Sequence, residues 1–395
     1  MTFGMLLRGM APILLAAALF GGPVGAAPAI VPVGPDALVA FDTPVPLRLG
    51  GRVRAEAEGF TSAWPGTYVE ARFVGTQVLV GPFAGRSRWR VFVDGADLGL
   101  IDARIGPVFV VGGLAAGEHL LRLERIDEDR YANVQLLGVS VPRDARVLPP
   151  GPGRPDQIEF IGDSFMTGFG LSAGKAACTD EEVWETTDTS RAWPVLVAKA
   201  LGADYAVNAY SGAGLVRNFV YQAGKPTMQK LYLRTLPETV EPWRRPATWR
   251  PRTIIVALGE NDLSEPFLPR EALADSDTVT RALAPALARF ARGLRKANPG
   301  ARILLLDYGY GPVREAHAAA YARLSARDRA AVRLVTMERD FALSGCFAHL
   351  DAADNRRVAA RVLAALGANR ASPDRGGEGT TGVLVPAAGI EPAAP

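Results

Sequence analysis

Between about Ile30 and Pro142, apolar and polar residues tend to alternate with a period of two, the pattern of strands that bury one face. Tyr68-Val69-Glu70-Ala71-Arg72-Phe73-Val74 and Arg88-Trp89-Arg90-Val91-Phe92-Val93 carry it most clearly. Residues 77–80, 108–111, 119–123 and 134–139 follow, with turn signals such as Asp94-Gly95 and Ala116-Gly117 between strands. Many short strands at such spacing predict an antiparallel sandwich or jelly roll over residues 30–145. Residues 146–156, with Pro149-Pro150-Gly151-Pro152-Gly153-Arg154-Pro155 at their centre, predict a linker.

From Gln157 the period changes. Gln157-Ile158-Glu159-Phe160-Ile161-Gly162, the unbroken apolar run Thr253-Ile254-Ile255-Val256-Ala257-Leu258 and Arg302-Ile303-Leu304-Leu305-Leu306 read as strands buried on both faces. Residues 192–201, 280–297 and 351–366 have helical spacing. Strands alternating with helices predict a parallel sheet over residues 157–370, with any site at the strands' carboxyl ends. Residues 371–395 are rich in Gly, Pro, Ala and Thr and read as a disordered tail.

Composition narrows the partners. With 44 Lys and Arg against 41 Asp and Glu the net charge is +3, and no basic run exists to neutralise phosphates, which argues against nucleic acid. Three histidines (His119, His317, His349) and two cysteines (Cys178, Cys346) are too few and too scattered for a structural zinc site, so neither metal nor cofactor is expected. At the amino terminus Arg8, an apolar run from Met10 to Phe20 and the small residues Val24-Gly25-Ala26 read as a signal peptide over residues 1–26. A short membrane anchor is the alternative, but the run is shorter than the ~20 residues that span a bilayer. A secreted or periplasmic protein without a membrane span is expected. The chain has no signature of its oligomeric state.

Ile161-Gly162-Asp163-Ser164 ends the first strand of the parallel sheet, where a serine is exposed in the cleft and needs a base to become a nucleophile. Of the histidines only His349 falls in a loop suited to that edge, because His119 is in the β domain and His317 in an Ala-rich helical stretch. Ser211-Gly212 and Gly259-Glu260-Asn261-Asp262 follow two further strands and offer a glycine N–H and an amide as oxyanion donors. Asp163 reads as tying its turn, Glu260 as a solvated loop carboxylate, and Arg217 and Asn218 as braces of the oxyanion loop. Trp193, Tyr210, Trp243 and Trp249 could form a stacking platform, although aromatic residues more often belong to the core.

These blocks, in this order, resemble the SGNH (GDSL) hydrolase superfamily. The resemblance implies Ser164 as nucleophile, His349 as base, and the Ser164 N–H, the Gly212 N–H and the Asn261 amide as oxyanion donors. Trp64-Pro65-Gly66-Thr67, Val93-Asp94-Gly95, Leu123-Glu124-Arg125, the run from Ser211 to Asn218 and Gly345-Cys346 further resemble carbohydrate esterase family 2. That family implies a jelly roll followed by a three-layer, flavodoxin-like α/β domain, and removal of acetyl groups from an acetylated carbohydrate. A lipid or aryl ester substrate, or a carbohydrate-binding protein whose catalysis has decayed, are the alternatives. Relatives commonly carry an Asp shortly before the histidine and a Pro after it, whereas this chain reads Cys346-Phe347-Ala348-His349-Leu350. A backbone carbonyl is then expected to orient the ring; Asp351 and Asp354 are substitutes, with Asp351 more naturally a helix N-cap. In the implied arrangement Cys178 and Cys346 border one cleft, so a disulfide between them is expected in an oxidising compartment.

Overall fold

The computed structural model describes residues 27–128, 133–268, 273 and 275–367. The expected signal peptide (1–26) and tail (371–395) lie outside the described residues.

Among the described residues the amino-terminal half folds into antiparallel sheets of five, six and four strands. In Arg88–Val93 the period of two is realised directly, with Trp89, Val91 and Val93 turned inward. This strand pairs with Gly117–Arg125, which pairs on its other side with Tyr68–Gly75. Phe60, Phe73, Trp89, Ile101, Leu121 and Leu123 fill the space between sheets. Each such side chain contributes about 1.5–3 kcal/mol on burial. The segment expected to be a linker opens with a short strand, Arg146–Val147, paired to Phe73 and Val74. Its prolines begin only at Pro149, beyond the paired residues, so nothing removes a donor from the ladder.

The second half is a five-stranded parallel sheet in the order Asp204–Ala209, Gln157–Gly162, Thr253–Val256, Arg302–Asp307, Val332–Thr336. Helices Ser276–Ala297 and Gly311–Ala322 cover one face, where Ile161, Ile254, Val256 and Leu305 point. Trp193–Ala200 and Ala352–Leu366 cover the other, against Phe160, Ile255 and Leu306. This is the flavodoxin-like order, and the chain changes direction across the sheet on either side of Gln157–Gly162. The carboxyl ends of these central strands frame the crevice where such sheets place their sites.

Charged side chains join the two domains. Asp204, at the amino end of its strand, accepts from Tyr68 Oη at 2.6 Å and from Arg48 and Arg154 at 2.9 Å. Arg52, 1% exposed, reaches from the β domain to the carbonyls of Tyr232 (2.6 Å) and Arg234 (3.0 Å), with its guanidinium 3.7 Å from the Trp243 ring centroid. Leaving such a buried charge without partners costs about 3–5 kcal/mol, so the domains dock as one unit.

Candidate active site

Gly162 closes the first parallel strand with no room for a side chain: a Cβ would lie 2.5 Å from Met166 Sδ and 2.9 Å from the Ala257 carbonyl. The chain turns there, and Asp163 caps the short helix Ser164–Thr167 by accepting the Phe165 N–H at 3.1 Å. Ser164, 6% exposed, has its Oγ 2.7 Å from His349 Nε2.

His349 is half-buried and hangs from a tight loop in which Phe347 and Ala348 adopt φ of +51° and +57°. Left-handed backbone costs a residue with a side chain about 1–2 kcal/mol. It is held by the Phe347 N–H on the Ala176 carbonyl (2.7 Å), the Gly345 N–H on the His349 carbonyl (3.0 Å) and a disulfide joining Cys346 to Cys178. The twist turns the carbonyls of Cys346 (2.8 Å) and Phe347 (3.2 Å) onto His349 Nδ1. Carbonyls only accept, so Nδ1 carries the proton and Nε2 is left to accept from the serine hydroxyl. Burial pushes the imidazole down to about 4, and the two carbonyls offset this only in part. The rings of Phe165 and Phe169 lie 5.1 and 4.5 Å from it.

The carboxylates named as substitute third members are engaged elsewhere. Asp351 caps Ala352–Leu366, accepting the N–H groups of Ala353 and Asp354 at 2.8 Å and the Ser344 hydroxyl at 2.6 Å. Asp354 is fully buried on the N–H groups of Ala342 (3.1 Å) and Leu343 (2.8 Å) and the Arg357 guanidinium (2.5 Å). Neither reaches the imidazole, and main-chain carbonyls occupy the place of the acid. The other histidines are remote from it. His119 bridges Asp94 and the Ala115 carbonyl, and His317 is buried on the Leu258 carbonyl.

The two other strand ends bring up Gly212 and Asn261. Gly212 has φ +81°, and a Cβ there would lie 2.8 Å from Gln222 Cγ. The loop after it is clamped by Asp262, which accepts the N–H groups of Leu215, Val216 and Arg217 at 2.8, 2.6 and 3.0 Å. Arg217 ties it to the carbonyls of Ser264 (2.9 Å) and Pro266 (2.7 Å), and Asn218 accepts the Gly214 N–H (3.1 Å). Asn261 Nδ2 donates to Asp163 Oδ2 at 3.0 Å and to the Ala213 carbonyl at 3.2 Å, which sets it beside the serine turn. Among the described residues neither the Ser164 nor the Gly212 backbone N–H has an acceptor. Two unpartnered amides and a side-chain amide beside an imidazole-bound hydroxyl form the constellation that acyl transfer requires.

Glu260 is not a freely solvated carboxylate: burial pushes it up to about 7. Trp193 is fully buried, with its indole N–H on the Phe165 carbonyl, and Trp243 packs on Arg52, so both belong to the scaffold. The roles of Phe165, Phe169 and Asp262 escaped the motifs. Asp262 adjoins Asn261, but only the fold shows that it clamps the neighbouring loop. Among the described residues no group of three or more His, Cys, Asp or Glu side chains could hold a metal ion, and no helix is long and apolar enough to cross a membrane.

The carbohydrate esterase 2 N-terminal family matches residues 49–151, and the GDSL-like lipase/acylhydrolase family matches residues 160–362. The chain is 31% identical over 333 residues to an acetylxylan esterase/glucomannan deacetylase of Cellvibrio japonicus, spanning 82% of this chain and 92% of that one. The chain belongs to carbohydrate esterase family 2. It is an ester hydrolase of that family. A carbohydrate esterase described as having divergent catalytic and non-catalytic binding functions has a similar structure, with a TM-score of 0.75 at 29% identity over 83% of this chain and 99% of the other. A family 2 enzyme of Myceliophthora fergusii gives a TM-score of 0.68 at 29% identity over 81% and 99%. In this family 2 esterase the jelly roll and the α/β domain therefore form the shared architecture, and the cleft just described lies within the GDSL-like half.

Proposed function

We propose that the protein is an exported esterase that removes acetyl groups from carbohydrate through an acetyl-serine intermediate. The observation that carries the mechanism is the Ser164 Oγ–His349 Nε2 contact of 2.7 Å, with the opposite ring nitrogen held by main-chain carbonyls. His349 Nε2 takes the hydroxyl proton as Ser164 Oγ attacks the acetyl carbon. The carbonyl oxygen becomes an oxyanion that receives the N–H groups of Ser164 and Gly212 and one N–H of the Asn261 amide, turned to it from the Ala213 carbonyl. As the tetrahedral intermediate collapses, the sugar oxygen leaves and takes the proton back from His349. Water, activated by the same imidazole, then releases acetate from Ser164.

Phe165 and Phe169 crowd the imidazole, which favours a small acyl group. Export is supported by the apolar segment after Arg8 and by the disulfide, which persists in oxidising compartments. Because the Cellvibrio japonicus relative is named for acetylxylan and glucomannan, those are the first substrates to test. Acetate release is measured from a panel of acetylated polysaccharides and oligosaccharides, with Ser164→Ala and His349→Ala as comparisons. Both variants are expected to lose turnover almost completely while keeping their fold, since the two groups act as a unit. Acetate release that persists in purified Ser164→Ala protein would refute the mechanism.

A further inference from the structure

The β domain sends one side chain to the edge of this cleft. Glu128 lies three residues past strand Gly117–Arg125. Its Oε1 accepts the backbone N–H of Ser211 at 2.6 Å, and its Oε2 accepts the Ser211 hydroxyl. Ser211, 3% exposed, immediately precedes Gly212. The carboxylate thus grips the residue on both sides of its Cα, through the main-chain nitrogen and through the side chain.

The base of Glu128 is anchored to the nucleophile turn. Arg125 and Asp127 are fully buried and paired at 2.8 Å, and Asp127 also accepts the Arg88 N–H at 2.6 Å. The intervening Ile126 carbonyl receives the Thr189 N–H at 3.0 Å, and the Thr189 hydroxyl donates at 2.6 Å to the carbonyl of Thr167, the last residue of the Ser164 helix. One chain of contacts therefore references Ser211 to Ser164 by way of the β domain.

The Gly212 N–H belongs to the peptide that joins Ser211 to Gly212, so the backbone angles of Ser211 set its direction. On either side the turn is pinned by the Tyr210 N–H on the Gly162 carbonyl (3.2 Å) and the Ala213 N–H on the Tyr210 carbonyl (3.0 Å). At Ser211 itself the partner is Glu128. Both carboxylate oxygens of Glu128 accept from Ser211, so they fix the orientation of the residue directly before the oxyanion donor. We propose that Glu128, supplied by the β domain, is a positioning residue for the oxyanion donor Gly212, and that the β domain is part of the catalytic centre. This rests on the esterase reading above.

The test compares Glu128→Ala, Glu128→Gln and Ser211→Ala on a small acetyl ester, with kcat, KM and the pH profile measured for each. Glu128→Ala should lower kcat by about 10–100-fold, less than the ~10²–10³-fold loss of an oxyanion donor itself because the Gly212 N–H is misdirected rather than removed, with KM within about twofold. The acid limb of the profile should stay in place, because no contact of His349 is changed. Glu128→Gln should recover kcat to within about threefold, since its oxygen accepts the Ser211 N–H and its amide pairs with the hydroxyl. Ser211→Ala, which loses one of the two bonds, should fall between them and carries the test if Glu128→Ala does not fold. Glu128→Ala with kcat within about threefold of wild type would overturn the proposal, as would a Gln variant no better than the Ala variant. Absence of Ser164-dependent hydrolysis in the wild type would instead defeat the esterase reading.

Discussion

Removing the Cys178–Cys346 disulfide should reduce stability and turnover together, because the half of the bridge at Cys346 also supplies the carbonyl that orients His349. The two cysteines are 168 residues apart, and for a loop of that length the chain-entropy relation gives at most about 5 kcal/mol. For a domain of about 200 residues each kcal/mol moves the melting temperature by ~2–4 °C, so the ceiling is about 10–20 °C. The catalytic effect is smaller than that of losing a triad acid. Without the bridge the loop keeps the Phe347 N–H on the Ala176 carbonyl at 2.7 Å and the Cys346 N–H on the Gly170 carbonyl at 3.3 Å. The imidazole is therefore loosened rather than released, and kcat should drop about tenfold, against ~10⁴ when a triad Asp is replaced. Cys178→Ser and Cys346→Ser variants, and wild type with and without reductant, would be followed by thermal unfolding and by turnover of a small acetyl ester. Melting within about 2 °C of wild type with unchanged kcat would refute the reasoning.

Asn261→Ala should lower kcat about a hundredfold or more with little change in KM, as expected for one oxyanion donor, read from steady-state kinetics. Asp351→Ala should destabilise the protein by about 0.5–2 kcal/mol through the lost helix cap, measured by denaturant unfolding, while kcat changes only a few-fold. Asp351→Asn, a good cap in its own right, should be close to neutral in both assays; a ~10⁴-fold loss of kcat would instead make Asp351 the missing acid.

What could be read in the chain follows from how local each signal is. Arg88–Val93 is strictly alternating and half-covered, and Thr253–Val256 is apolar after its threonine and covered on both faces, so pattern and burial coincide. Helix Asp180–Thr186 lies in an acidic stretch with little apolar periodicity to announce it. Thr179 and Glu182 form a capping box there, a four-residue signal outweighed by low hydrophobicity. Strand Val332–Thr336, at the sheet edge, has Arg333 and Thr336 exposed and lacks the apolar run of its neighbours. Ser164, Gly212, Asn261 and His349 stand out by their order along the chain. The groups that hold them do not. The acceptor of His349 is a backbone carbonyl, which any residue type provides. Glu128 meets Ser211 across 83 residues and a domain boundary, where no spacing rule operates.

The same site has to stabilise an oxyanion above a cluster of carboxyl groups, and the way they titrate sets its pH range. His349 works as a base only when neutral. With its pKa pushed down to about 4 by burial, kcat/KM should stay level on acidification to about pH 5 and fall tenfold per unit below 4. On the alkaline side the relevant group is Asp163, next to Ser164 and bonded to Asn261. Burial pushes it up to about 8, the negative charges of Glu260 and Asp262 add to the shift, and the Phe165 N–H and Asn261 amide oppose it. At pH 7 Asp163 is mostly neutral and places no negative charge beside the oxyanion donors. Above pH 8 it becomes an anion that repels the developing oxyanion and competes for the Asn261 amide, so kcat/KM should decline there. Glu260→Gln removes a negative neighbour, makes Asp163 easier to ionise, and should move the alkaline limb to lower pH while the acid limb stays. An alkaline limb that is unmoved or shifted upward in Glu260→Gln would show that Asp163 does not control it.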